Sequence, residues 1–196
     1  MPLVPSQVAL NIRNSAVFPP FDPQWVRLTE AIGLGVVTWA SANPVNLYLV
    51  GAAAGTLGAG TVQGKLIVPP EPGVVIGAFM SAGIVGVRAS EMATAISLGV
   101  SMSFTQSGMY MGPVAGASAG VDVSKVVSAN APTLIGQIQG MLSASMILGI
   151  GSVKLATACG NGIAANLMLG TGTGPVVPLA PGPLPGAGTS PTSMVV

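Results

Sequence analysis

Two stretches of this chain repeat one another, and that repetition limits the fold more than any other feature. Residues 84–100 read Ile-Val-Gly-Val-Arg-Ala-Ser-Glu-Met-Ala-Thr-Ala-Ile-Ser-Leu-Gly-Val, and residues 147–163 read Ile-Leu-Gly-Ile-Gly-Ser-Val-Lys-Leu-Ala-Thr-Ala-Cys-Gly-Asn-Gly-Ile. At an offset of 63, Ile84 meets Ile147, Gly86 meets Gly149, Ala93-Thr94-Ala95 meets Ala156-Thr157-Ala158, and Gly99 meets Gly162. Gly112-Pro113-Val114 then matches Gly174-Pro175-Val176 at an offset of 62. Order and spacing agree over about thirty residues. That favours an internal duplication with one indel over chance similarity in a chain rich in alanine and glycine. A fainter third copy precedes them. Ile32-Gly33-Leu34-Gly35-Val36-Val37 resembles the Ile-x-Gly-x core, and Gly58-Ala59-Gly60-Thr61-Val62, then Pro69-Pro70, resembles the Gly-then-Pro ending. Pro44 departs from the pattern.

Each unit has the same coarse layout. An apolar helix (about 74–86 and about 133–148) runs into a glycine-containing break, and a second helix follows (about 89–105 and about 152–169). A Gly-rich, then Pro-bearing, extended segment closes the unit. Ser90 before Glu91 suits an N-cap of the second helix. Met92, Ile96, Leu98 or Gly99, and Met102 have helical spacing, as do Leu155, Cys159, Gly162, and Ala165 or Leu167. The expected fold is mainly α: duplicated short helical hairpins with Gly-rich links and extended N- and C-terminal arms. The divisions are an extended N-terminal arm at 1–23, a divergent first helical unit at 24–72, a helical-hairpin repeat at 73–121, a second at 122–178, and a Pro/Gly-rich C-terminal arm at 179–196. Gln7 to Arg13 alternates partly, as a strand would, before Pro19-Pro20 and Pro23 stop it. The C-terminal stretch, with Pro178, Pro181, Pro183, Pro185 and Pro191, is expected to be extended or polyproline II, without internal hydrogen bonds. Its uncharged composition with Val and Leu favours an arm lying on a neighbour over a disordered tail.

Composition narrows the surroundings such a chain needs. Charged residues make up 6% of its 196 residues, against roughly 25% in an ordinary soluble domain. Mean hydropathy is +0.74. A freely soluble monomer rests on well-spread surface charge, so this surface is expected to be covered by lipid, by other copies or by partner proteins. Aromatics are 4%, while the chain has 28 Gly and 10 Met; small residues suit close helix–helix approach. The net charge is +1 with no basic run, which argues against binding a phosphate backbone. Arg27–Glu30, Arg88–Glu91 and Asp122–Lys125 are i,i+3 pairs that can neutralise one another on a helix face. The N-terminus has neither a positive n-region nor an apolar h-region and is not expected to be a cleavable signal.

Catalytic chemistry finds little to work with. The chain has no histidine and one cysteine, Cys159, which rules out a Cys–His nucleophile or a zinc site within one chain. Cys159, between Ala158 and Gly160, reads as a small buried hydrophobe ahead of a reactive thiol. The five carboxylates are scattered. Ser152 and Lys154 make a Ser–Lys pair on paper, but they sit at the start of a repeated helix. Gly170-Thr171-Gly172-Thr173-Gly174 lacks the Lys-Ser/Thr of a phosphate loop and follows a helix instead of opening one. No catalytic, cofactor-binding or metal-binding residue is assigned, and no enzyme activity is expected.

The Ala-Thr-Ala helix, then Gly-x-Gly-Ile, then Gly-Thr-Gly-Thr-Gly before a Pro-rich close, resembles small structural proteins of tailed bacteriophages, contractile-tailed ones in particular. The resemblance covers about residues 73–178 and its motifs are low in complexity. It implies a virion component of the tail or baseplate, with no catalytic residues carried over. The expected partners are other virion or assembly proteins and further copies, as a homotrimer or homohexamer, without nucleic acid. The alternative is a small-residue-rich integral membrane protein, holin- or pore-like. The uncharged stretches Ala31 to Gly64, Met92 to Val121 and Val126 to Val153 are each long enough to span a bilayer. Each is broken by Pro, Asn, Gln or Thr into apolar runs of about 12–16 residues, which fits buried helices better.

Overall fold

A computed structural model describes residues 4–16, 22–42, 45–50, 59–65, 70–107, 109–115, 120–122, 125–128, 130–167, 172–178 and 188–195, the strands by their backbone pairing. The fold is mainly α. Among these residues six helices occur: α1 (Pro5–Asn14), α2 (Pro23–Ala42), α3 (Pro72–Ser81), α4 (Val87–Ser107), α5 (Ala131–Ala144) and α6 (Ile150–Leu167). They form three hairpins, α1–α2, α3–α4 and α5–α6. Each helix packs on its neighbours in chain order, and α6 packs back onto α1, so the six close into a ring.

The second and third hairpins turn by the same hydrogen bonds. In one, Gly83 N–H donates to the Met80 carbonyl and Ile84 N–H to the Phe79 carbonyl; in the other, Met146 N–H donates to Ser143 and Ile147 N–H to Leu142. This is the Schellman ending, which puts the residue after the cap in the left-handed region. Gly83 has φ of 73° there and Met146 has φ of 56°. The tight ending stops α3 and α5 at Ser81 and Ala144, short of the 86 and 148 expected from apolar content. Ile84 and Ile147 fold back against the core. Gly86 (φ 116°) and Gly149 (φ 109°) then reverse the chain.

The second helix of every hairpin begins alike. Val26 N–H donates to the Asp22 carbonyl, Ser90 N–H to Gly86 and Val153 N–H to Gly149. Ser90 is therefore inside the first turn of α4 and is not its N-cap. At α2 the Asp22 carboxylate does cap the helix, accepting from Gln24 N–H at 2.8 Å and Trp25 N–H at 3.1 Å. The expected stripe holds at Ile96, Gly99, Leu155, Cys159 and Gly162, which are buried, and at Met92, which is half-buried. It fails at Met102, which is exposed; of the two alternatives at the end of the second stripe, Ala165 is exposed and the Leu167 side chain lies outside the described residues, while Val100, Phe104 and Ile163 continue the core.

The extended N-terminal arm is a correction. Residues 5–14 are helix α1, opened by Pro5 at its first turn, where a missing N–H does no harm. Val8, Ala9 and Ile12 are buried, a helical spacing that seven residues of partial alternation concealed. The boundary between 23 and 24 therefore cuts through the first hairpin, because the partner of α2 is α1.

Beyond the second helix of each hairpin the chain turns to strands: β1 (Val45–Val50), β2 (Ala59–Lys65), β3 (Met109–Ala115), β4 (Gly120–Asp122), β5 (Lys125–Ser128), β6 (Gly172–Pro178) and β7 (Gly188–Val195). All pairings are antiparallel, in the order β2-β1-β7-β6-β4-β3-β5, with β2 also paired to β3. Six strands thus close on themselves, and β5 shares an edge of β3 with β4. The two Gly-Pro-Val triplets fall on β3 and β6. The C-terminal arm is corrected in the same way: residues 188–195 are extended, as expected, but they pair with β1 and β6 of the same chain. Pro191 and Pro175 lie within the stretches where the register shifts. Proline is tolerated in a sheet at such bulges.

Candidate functional site

The residues weighed for chemistry are drawn into structural contacts. Cys159 is fully buried, and desolvation pushes its thiol from 9.0 up to about 12. A thiol buried in apolar surroundings stays protonated and inert. The Ser152 hydroxyl donates to the Gly149 carbonyl at 2.7 Å, closing the first turn of α6. Glu91 accepts from Arg88 at 2.9 Å, as its spacing suggests. Glu30 instead meets Arg13 at 3.5 Å, across from α2 to α1, so its described ion pair ties a hairpin together and is not local. Asp122 ends β4 and Lys125 begins β5, which takes that pair off a helix face. Their side chains, and residues 170–171 of the Gly-Thr run, lie outside the described residues. Among the described residues no three His, Cys, Asp or Glu side chains gather as metal ligands.

The feature that stands out is the outer surface of the hairpin links. Val85 and Val87 are 71% and 76% exposed, and Leu148 and Ile150 are 65% and 77% exposed. They are the same two positions, 63 residues apart, flanking Gly86 and Gly149. Met80 and Met146 are exposed beside them. Single exposed apolar residues are ordinary; here several lie together on adjoining turns and form an exposed apolar patch. Sequence reasoning missed their role by reading these residues only as the end of an apolar helix and the glycine-containing break after it. The isoleucine is packed inward, and the residues on either side of the glycine point out. Gly86 (φ 116°) and Gly149 (φ 109°) reverse the chain at the bundle's end, a backbone turn that the sequence alone does not display.

Between the second and third hairpins lies a groove of about 430 Å³, lined by Arg88, Ala89 and Met92 of α4 and by Met146, Ile147 and Leu148 of the α5–α6 link. Arg88 closes one side. Its Nη1 donates to Glu91 and, at 3.2 Å, to the Ser145 carbonyl of the next hairpin. That satisfies a carbonyl left free at the end of α5 and fixes the two links relative to one another. The arrangement offers apolar area beside the exposed Arg88–Glu91 ion pair.

Among the described residues no helix is long and apolar enough to cross a membrane. No family model, no curated protein and no solved structure matches the chain.

Proposed function

We propose that the chain is a non-enzymatic structural subunit of a large protein assembly, a tail or baseplate component of a bacteriophage virion being the assembly it suits best. The observation that carries this reading is the row of exposed apolar side chains on the hairpin links, Val85, Val87, Leu148 and Ile150. Burying a Val, Leu or Ile side chain stabilises by about 1.5–3 kcal/mol. Four such side chains in water are a large reservoir for association. A chain with 6% charged residues has little else to keep that surface solvated. Its small residues serve the same end, since close helix packing makes a rigid block from little side-chain volume.

Retention in purified particles tests the proposal. The chain is expected to remain with the particles after a detergent wash. Recovery of the chain in detergent micelles, dispersed and free of particles, would replace this reading with a holin- or pore-like membrane protein.

A further inference from the structure

We infer that the α3–α4 and α5–α6 links form one self-complementary surface, on which a second copy of this chain docks about a two-fold axis. The α3–α4 link of each copy lies against the α5–α6 link of the other. The inference rests on the links being a contact surface, and not on which assembly receives the chain.

Charge selects a second copy as the occupant. The two links are equivalent in their apolar residues: Val85 and Val87 on one stand where Leu148 and Ile150 stand on the other, 63 residues on. One turn into the helix that follows, the equivalence breaks in sign. Glu91 comes four residues after Val87 in α4, and Lys154 comes four residues after Ile150 in α6. Residues four apart share a helix face. Each link therefore carries exposed apolar side chains with a charge at their rim, an anion on one link and a cation on the other. A two-fold contact pairs residue i with j and j with i. Link against opposite link puts Glu91 across from Lys154 of the second copy, and Lys154 across from its Glu91, while Val87 and Ile150 meet at both places. Like link on like link would set carboxylate against carboxylate, a juxtaposition that interfaces avoid.

Glu91 already accepts from Arg88 at 2.9 Å, and Lys154 has a contact within the chain. A carboxylate has several acceptor sites and an ammonium several donors, so both can take an intermolecular partner as well.

Two further observations support the dock. Arg88 Nη1 donates to the Ser145 carbonyl of the next hairpin at 3.2 Å, which fixes the spacing of the links before contact. A surface held in place loses less freedom on association. Met146 then holds φ of 56° where its equivalent, Gly83, holds 73°. That region is disfavoured for a residue with a Cβ, yet the side chain it supports is 68% exposed in the same patch. Inside the isolated fold a glycine would serve the turn better. Burial of Met146 by the second copy supplies a reason for the strain.

Sedimentation of the full chain over a range of concentrations tests the dock. A 19.2 kDa species is expected in equilibrium with one of twice that mass. A monomer at every concentration, or a discrete trimer or hexamer, overturns the inference. Val87→Ser with Ile150→Ser is expected to weaken the dimer about tenfold or more, with Tm compared at a dilution where both proteins are monomers. An unchanged dimer in that variant overturns the surface. Met146→Gly is expected to fold more stably and to dimerise several-fold less well, a split that misfolding cannot produce. Glu91→Lys and Lys154→Glu are each expected to stay monomeric where the wild type is dimeric. An equal mixture of the two is expected to recover the dimer, because opposite charges then meet at both places; failure of the mixture to associate overturns the link-to-opposite-link arrangement. A monomer that is still retained in washed particles overturns the dimer and leaves the structural reading. A dimer absent from washed particles removes the structural reading and leaves the dimer.

Discussion

At the scale of single residues, the departures from the repeating pattern are the most testable features. Ser97 corresponds to Gly33 and Gly160 of the other hairpins, at steps of 64 and 63. Both glycines are places of close approach: a Cβ on Gly33 would lie 2.5 Å from the Pro5 carbonyl oxygen, and one on Gly160 would lie 2.9 Å from Ile135 N. Ser97 is 3% exposed and its hydroxyl finds no hydrogen-bond partner among the described residues. A buried unsatisfied hydroxyl costs about 1–3 kcal/mol. Ser97→Ala removes the hydroxyl and keeps the Cβ already accommodated, so urea unfolding is expected to show a gain of about 1 kcal/mol. Met146 stands where Gly83 stands, in the left-handed region with φ of 56°. That conformation costs an L-residue about 1–2 kcal/mol. Met146→Gly is expected to raise Tm, even though it removes an exposed apolar side chain.

Cys159 makes the third residue-scale prediction. Its thiol is neutral when protonated, and burial raises its value from 9.0 to about 12. The folded state therefore holds the proton more tightly than the unfolded state. The stability linked to it is fully present below pH 9 and is lost as pH rises toward about 12. Thiol reagents at pH 8 are expected to leave the native chain unlabelled and to react on denaturation. Rapid native labelling would contradict the packing at that position.

At the scale of elements, the helices follow from spacing, capping and close approach. Helix content at 72–81, 87–107, 131–144 and 150–167 matches what periodicity predicts to within a few residues at the starts. The ends differ because the Schellman turn is a hydrogen-bonding device with no apolar signature. Helix α1 was hidden for another reason. Ten residues with three buried positions satisfy a helical period and a partial alternation almost equally. What decides between them is the pair of surfaces, on α2 and α6, that a helix can meet there. Glycines within helices divide by environment. Gly77 has open space around its missing side chain, and alanine there is expected to stabilise by about 1 kcal/mol in chemical unfolding. At Gly99 the Cβ would meet the Ile138 backbone, so the same propensity gain is outweighed by displacement of α5.

At the scale of the whole molecule, the hairpin links and the ring separate stability from association. Val87 and Ile150 are more than three-quarters exposed, so Val87→Ser with Ile150→Ser is expected to leave Tm within a degree or two. The same double variant is expected to fall several-fold in incorporation into particles. Equal incorporation of variant and wild type would show that the links are not the contact surface. Truncation of residues 179–196 makes a contrast. It removes β7, which pairs with both β1 and β6, so the loss is expected first in folding, read as a lower unfolding midpoint of the isolated chain.

The sequence by itself determined the helical character, the burial of Cys159 and the local pairing of Arg88 with Glu91. These are set by residues close in the chain, or by small residues whose period is visible without coordinates. Only the tertiary structure decided that α1 is a helix, that Glu30 pairs with Arg13 in place of Arg27, that the C-terminal segment folds back as a strand, and that Val85, Val87, Leu148 and Ile150 face outward. Each of these depends on which distant surface lies opposite. Burial, ion pairing and strand pairing take their free energy from that partner, and one-dimensional spacing carries no record of it. Ring closure is the plainest case: the fit of Ile12 against Gly162 joins residues 150 positions apart, and neither means anything until the other is in place.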